Sequence, residues 1–89
     1  MNRNRLLFLT LFPPPEGFRD VRERLLASSE PHAVLLAGEG VRNSMPDCGE
    51  LYRLRVDLEG RGMIPGKDAV SDEEAARMIL SASSVITFT

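Results

Sequence analysis

Two short apolar runs, each closed off by proline or glycine, constrain this chain more than any other feature. The first, "RLLFLTLF" (Arg5–Phe12), stops against Pro13, Pro14 and Pro15. The second, His32–Ala37 within "EPHAVLLAGEG", starts after Pro31 and stops at Gly38. Continuous apolar runs of this length suit strands covered on both faces, as in parallel sheets. Proline cannot donate to a ladder, so "PPP" ends the first strand and forms a stiff loop. Between the runs, "EGFRDVRERLLASS" places Phe18, Val21, Leu25 and Leu26 at helical spacing, with Arg19, Asp20, Arg22 and Glu23 on the other face. That spacing predicts an amphipathic helix. Strand, helix and strand in this order, both strands of the buried type, predict a right-handed parallel crossover.

The remaining chain continues the alternation with weaker signals. "VRNSM" supplies about one helical turn before Pro46 intervenes. "ELYRLRV" alternates Leu51, Arg53 and Arg55 against Tyr52, Leu54 and Val56. One face of this strand is therefore largely polar, either less covered than the first two or turned toward a partner. "DLEGRGM" reads as a short, glycine-interrupted helical turn and "KDAV" as a brief strand. In "SDEEAARMILSAS", Ser71 and Glu74 stand at capping-box spacing, and Ala75, Met78, Ile79 and Ala82 form the inner stripe. "SVITFT" is β-branched and closes the chain as a strand. The total is five strands and about four helices in alternation: one α/β domain over residues 1–89, three-layer α/β/α with a central, mainly parallel five-stranded sheet.

Composition narrows the function classes. A chain of 89 residues buries roughly 60–65% of its unfolded surface, so its single core is thin. A net charge of -2 provides no basic footprint for nucleic acid. Arg3 and Arg5 make the N-terminus locally basic, as an exposed arm. The one cysteine, Cys48, excludes an internal disulfide and a cysteine-rich zinc site, and the one histidine, His32, argues against a protein-only transition-metal site. No metal and no cofactor are expected. "NRNRLLFLTLF" has the charge and apolar run of a signal peptide but no small-residue cleavage site after it. Nothing approaches the ~20 apolar residues of a membrane span, so neither a membrane nor nucleic acid is expected as a partner, and the expected location is the cytoplasm.

In open parallel sheets, ligands gather beyond the carboxyl ends of the strands. The turn "GEG" at Gly38–Gly40 follows a strand and precedes a helical turn, where backbone N–H groups can meet an anion. It lacks the spacing of a dinucleotide fingerprint and the lysine of a Walker loop, and glycines that permit a tight turn account for it. Glu39 and Asp57 fall near the same edge, as a paired-carboxylate site requires, although acids at helix starts also complement the dipole. His32 opens a strand at the opposite end, away from any triad. Cys48 has acidic neighbours, Asp47 and Glu50, where a nucleophilic thiol needs a helix N-terminus or a cation. It also precedes its strand, about 20 Å of extended chain from the expected site.

Three stretches resemble the DsrH/TusB sulfur-relay family. "LYRLRVDLEGRGM" is similar to the family's strand and acidic-leucine turn, matched by Asp57, Leu58, Arg61, Gly62 and Met63. "AVLLAGEGV" is similar to its second strand and Glu-Asp-Gly-Val turn, matched by Gly40 and Val41. "AVSDEEAARMILSASSVITF" is similar to its closing helix and strand. The resemblance implies a DsrE-like fold and a place in a heteromeric assembly with DsrE- and DsrF-like subunits, which passes persulfide sulfur toward tRNA thiolation or sulfur oxidation. This type of subunit often lacks a reactive cysteine. In keeping with that, the first helix here has no cysteine, and Arg55, Val56 and Asp57 stand where DsrE-like carriers place theirs. The family's Asn-Lys-Ser-Pro turn is replaced by Leu11, Phe12, Pro13 and Pro14, and its closing tryptophan by Phe88.

The expectation is a non-catalytic subunit in which Glu39, Gly40, Val41, Asp57 and Arg61 shape the edge where a partner's persulfide docks. Arg61 offers a cation to an anionic sulfur species. Two alternatives are a sulfurtransferase working through Cys48, and a self-associating chain that binds a small anion at the glycine turn.

Overall fold

In the computed structural model, which describes residues 5–89, strands and helices alternate along the chain. The elements are β1 (Arg5–Leu9), α1 (Glu16–Ala27), β2 (His32–Leu36), a 3-10 turn (Gly38–Arg42), β3 (Leu51–Leu54), α2 (Arg55–Gly60), β4 (Ala69–Val70), α3 (Asp72–Ser81) and β5 (Ser84–Phe88). They form one five-stranded sheet in the order β4-β3-β2-β1-β5, with every neighbouring pair parallel. The two apolar runs occupy β1 and β2, interior strands of the sheet, which is why neither alternates. Arg3, expected in a basic arm, lies outside the described residues.

Pleating divides the core into two halves. Leu7, Leu9, Val34 and Leu36 face α1 and α2, packing with Phe18, Leu25, Val41, Met45 and Leu58. Leu6, Ala33, Leu35 and Val70 face the other way, toward Ala75 of α3. The result is a three-layer α/β/α arrangement, with two helices on one face and one on the other. No helix among the described residues is long and apolar enough to cross a membrane.

Several boundaries differ from the sequence reading, for identifiable reasons. The first strand ends at Leu9, three residues before the prolines, and Leu11 and Phe12 turn outward to 38% and 45% exposure. The helical turn expected in "VRNSM" comes earlier, because Gly38 bends the chain directly after β2 with φ of 55°. β3 ends at Leu54, and α2 takes Arg55 and Val56 out of the strand.

β3 is less covered than β1 and β2, one of the two readings of its arginine face: all four of its residues are half-buried, where β1 and β2 are mostly buried. Arg53 is turned inward: its Nε donates to the Val41 carbonyl at 3.1 Å, one terminal nitrogen to the Asn43 carbonyl at 2.6 Å, and the other pairs with Asp68. Arg53 is thus an internal bracket within this half-covered strand. Leu26 and Ile79, expected on inner stripes, are 50% and 39% exposed. A helix lying on a sheet buries one narrow stripe, and each of these residues sits at its flank.

Candidate functional site

The loops beyond the carboxyl ends of β1, β2 and β3 meet in one rim, and its geometry begins at the glycine turn. Gly38 donates its N–H to Oδ2 of Asp57 at 2.8 Å, and Gly40 donates its own to the Ala37 carbonyl at 2.9 Å. Two of the N–H groups read from "GEG", those of Gly38 and Gly40, are therefore bonded within the chain. Asp57, in the first turn of α2, supplies the negative charge from within the chain.

Gly40 has a different reason to be glycine. A Cβ there would stand 2.3 Å from the Leu9 carbonyl oxygen and 3.2 Å from Thr10 Cα. The turn after β2 rests directly on the end of β1, and only a residue without a side chain fits. Val41, next in sequence, is fully buried in the core half that faces α1. Both residues are structural.

Glu39 points outward and joins two guanidinium groups, Arg42 at 3.1 Å and Arg61 at 2.9 Å. Its hydrogen bonds with Arg42 and then Arg61 hold its carboxyl below the ordinary value of 4.5. Arg61 also donates to the Asp57 carbonyl at 3.1 Å, and its guanidinium lies 3.8 Å from the Asp57 carboxylate. The structure thus brings Glu39, Asp57 and Arg61 together. A carboxylate held ionised in this way is poorly suited to carry a proton as a general acid. The arrangement is a charge-paired clasp between the β2 turn and α2.

Two further groups complete the rim. The Arg42 guanidinium lies 4.6 Å from the centre of the Phe12 ring, a cation–π contact that ties the β1 loop to the β2 turn. Asn43, only 5% exposed, donates from Nδ2 to the Leu11 carbonyl at 2.9 Å and the Gly40 carbonyl at 3.0 Å. Sequence reasoning missed Asn43, Asp68 and the role of Arg53. The available signal was an arginine within the largely apolar stretch "LYRL", and its acceptors come from other segments.

Cys48 lies at the other end of the sheet. Its N–H donates to the Met45 carbonyl at 3.0 Å, and its Sγ lies 3.7 Å from the Glu50 carbonyl as a weak donor. That same carbonyl accepts the Val34 N–H at 2.9 Å, which fixes the cysteine beside the start of β3. The side chain is partly buried against the core half beneath α1. His32 opens β2 at this same end, with Nδ1 3.1 Å from the Glu30 carbonyl. Among the described residues, no group of His, Cys, Asp and Glu side chains is gathered to hold a metal ion. No protein-family model, curated protein or solved structure matches the chain.

Proposed function

We propose that the chain is a non-catalytic subunit of a sulfur-relay assembly of the DsrEFH/TusBCD type, in which a DsrE- or DsrF-like partner carries the persulfide. The observation that carries this reading is the separation of the rim from the thiol. The residues expected to shape the docking edge, Glu39, Gly40, Val41, Asp57 and Arg61, lie at the carboxyl rim, while Cys48 is packed at the amino end. At the rim, glycine permits close approach, and carboxylates and arginines bind one another. Such a rim has a fixed shape and presents Phe12, Arg42 and Arg61 to a partner. Its role is to position that partner's persulfide, and sulfur never resides on this chain.

The test is reconstitution of sulfur transfer with small DsrE- and DsrF-like chains from the same genome. Cys48→Ser is expected to leave the transfer rate unchanged. Arg61→Ala, which removes the clasp, is expected to weaken association with those chains by about tenfold. Loss of transfer in Cys48→Ser would establish direct transfer through that thiol instead, and failure of the wild-type chain to associate with such partners would remove the relay reading altogether.

A further inference from the structure

We propose that β5 pairs antiparallel with β5 of a second copy of this chain, about a two-fold axis at Ile86, so that two five-stranded sheets become one. β5 is the outer strand on its side of the sheet. The Thr10 N–H donates to the Phe88 carbonyl at 3.0 Å, so the backbone of Phe88 points toward β1. Backbone groups alternate in direction along a strand, which turns those of Ser84 and Ile86 inward and those of Val85 and Thr87 outward.

Proteins blunt such an edge by making it short or by placing charge or proline on it. The opposite edge, β4, has two residues. β5 has five, "SVITF", and carries neither charge nor proline. Unpaired backbone on a strand of this composition calls for a cover.

Symmetry and charge identify that cover as a second copy. With the axis at Ile86, Val85 of each copy stands opposite Thr87 of the other, and both pairs are of the hydrogen-bonded kind. Phe18 of α1 packs edge-on against Phe88, with ring centres 5.2 Å apart. As the helix of a parallel crossover, α1 runs opposite to the strands. From Phe88 back to Ile86 is about 6.6 Å of strand, and four helical residues cover about 6 Å, which brings the axis level with residue 22. Asp20 and Arg24 flank that level symmetrically, both exposed and without an ion-pair partner among the described residues. Arg24 lines a groove together with Ile86. A two-fold axis perpendicular to the sheet keeps both α1 helices on one face and antiparallel, so Asp20 of each copy lies level with Arg24 of the other. On the opposite face, Val85 shares its side of the sheet with Ile79 and Leu80, the latter 85% exposed, at the end of α3 that leads into β5. These add apolar area to an interface that backbone pairing alone would leave below the roughly 1,200 Å² of a stable complex.

This inference goes beyond the sulfur-relay reading and stands or falls separately, because its readouts use the purified chain alone. Sedimentation velocity is expected to give a dimer. Thr87→Pro removes an outward N–H from each copy and leaves the ladder to β1 intact, so it is expected to weaken the dimer about thirtyfold with an unchanged circular dichroism spectrum. In a Cys48→Ser background, Ile86→Cys is expected to form an intermolecular disulfide on mild oxidation, since a directly opposed strand pair has suitable spacing. Should Thr87→Pro not fold, Asp20→Arg is expected to weaken the dimer about tenfold, and Asp20→Arg with Arg24→Asp to restore it. A monomeric wild-type chain, or a dimer that is neither linked through position 86 nor weakened by these changes, would overturn the proposal.

Discussion

At Gly40 the backbone of the β2 turn passes so close to the end of β1 that a methyl group would fall on the Leu9 carbonyl. The obstacle is main chain, which cannot rotate away as a flexible side chain would. Gly40→Ala must therefore push the turn off β1, disturbing the Asn43 bonds to Leu11 and Gly40 that depend on their approach. The expected cost is about 3 kcal/mol, seen as a lower urea midpoint with an unchanged slope. That Gly40 sits in a tight turn was legible in "GEG". That it rests on Leu9 was not, because the contact joins segments about 30 residues apart and leaves no local pattern. The same holds for Asp57, whose acidic character was visible but whose acceptance of the Gly38 N–H depends on two strands lying side by side.

Among the elements, α3 carries the clearest local signal, and β3 one that gives its coverage but not the partners of its arginine. The capping box read from Ser71 and Glu74 is present in both directions: the Glu74 N–H donates to the Ser71 hydroxyl at 3.1 Å, and the Ser71 N–H to the Glu74 carboxylate at 2.9 Å. Capping uses neighbours in sequence, so sequence suffices to find it. Ser71→Ala is expected to cost about 1 kcal/mol, measured by thermal unfolding. The backbone N–H and then the hydroxyl of Ser71 lower the Glu74 carboxyl from its ordinary 4.5. A carboxyl with a depressed folded-state value stabilises fully above the unfolded value, and that contribution is lost as pH falls through the folded value. The α3 start should thus loosen only below pH 4.5, and a proton titration of Glu74 by NMR should show the low midpoint in the wild type and a partial rise in Ser71→Ala, which loses the hydroxyl and keeps the backbone N–H. β3 is half-covered, as the alternation of Leu with Arg signals, but that pattern directs the arginine to water. Arg53 instead finds the carbonyls of Val41 and Asn43 and the carboxylate of Asp68, and the alternation pattern contains none of them.

Across the whole molecule, the two faces of the sheet are unequally covered. On one side Phe18, Leu25, Val41, Met45 and Leu58 are buried, whereas α3 contributes a single fully buried residue, Ala75, to the other. Regions with few buried contacts open locally without global unfolding. Amides of β1 and β2 are therefore expected to exchange with solvent only through global unfolding, and those of α3 about tenfold faster or more. β5 should behave in two ways within one strand. The Ile86 N–H points toward β1 and is protected by the ladder even in the monomer, so it should vary with protein concentration less than its neighbours. The Val85 and Thr87 N–H groups point away from β1, to a side where no described strand lies and a second copy would bond them. Exchange at those two positions should slow as the chain is concentrated, and by more than exchange at Ile86. Equal and concentration-independent exchange at all three would mean that the edge remains bare.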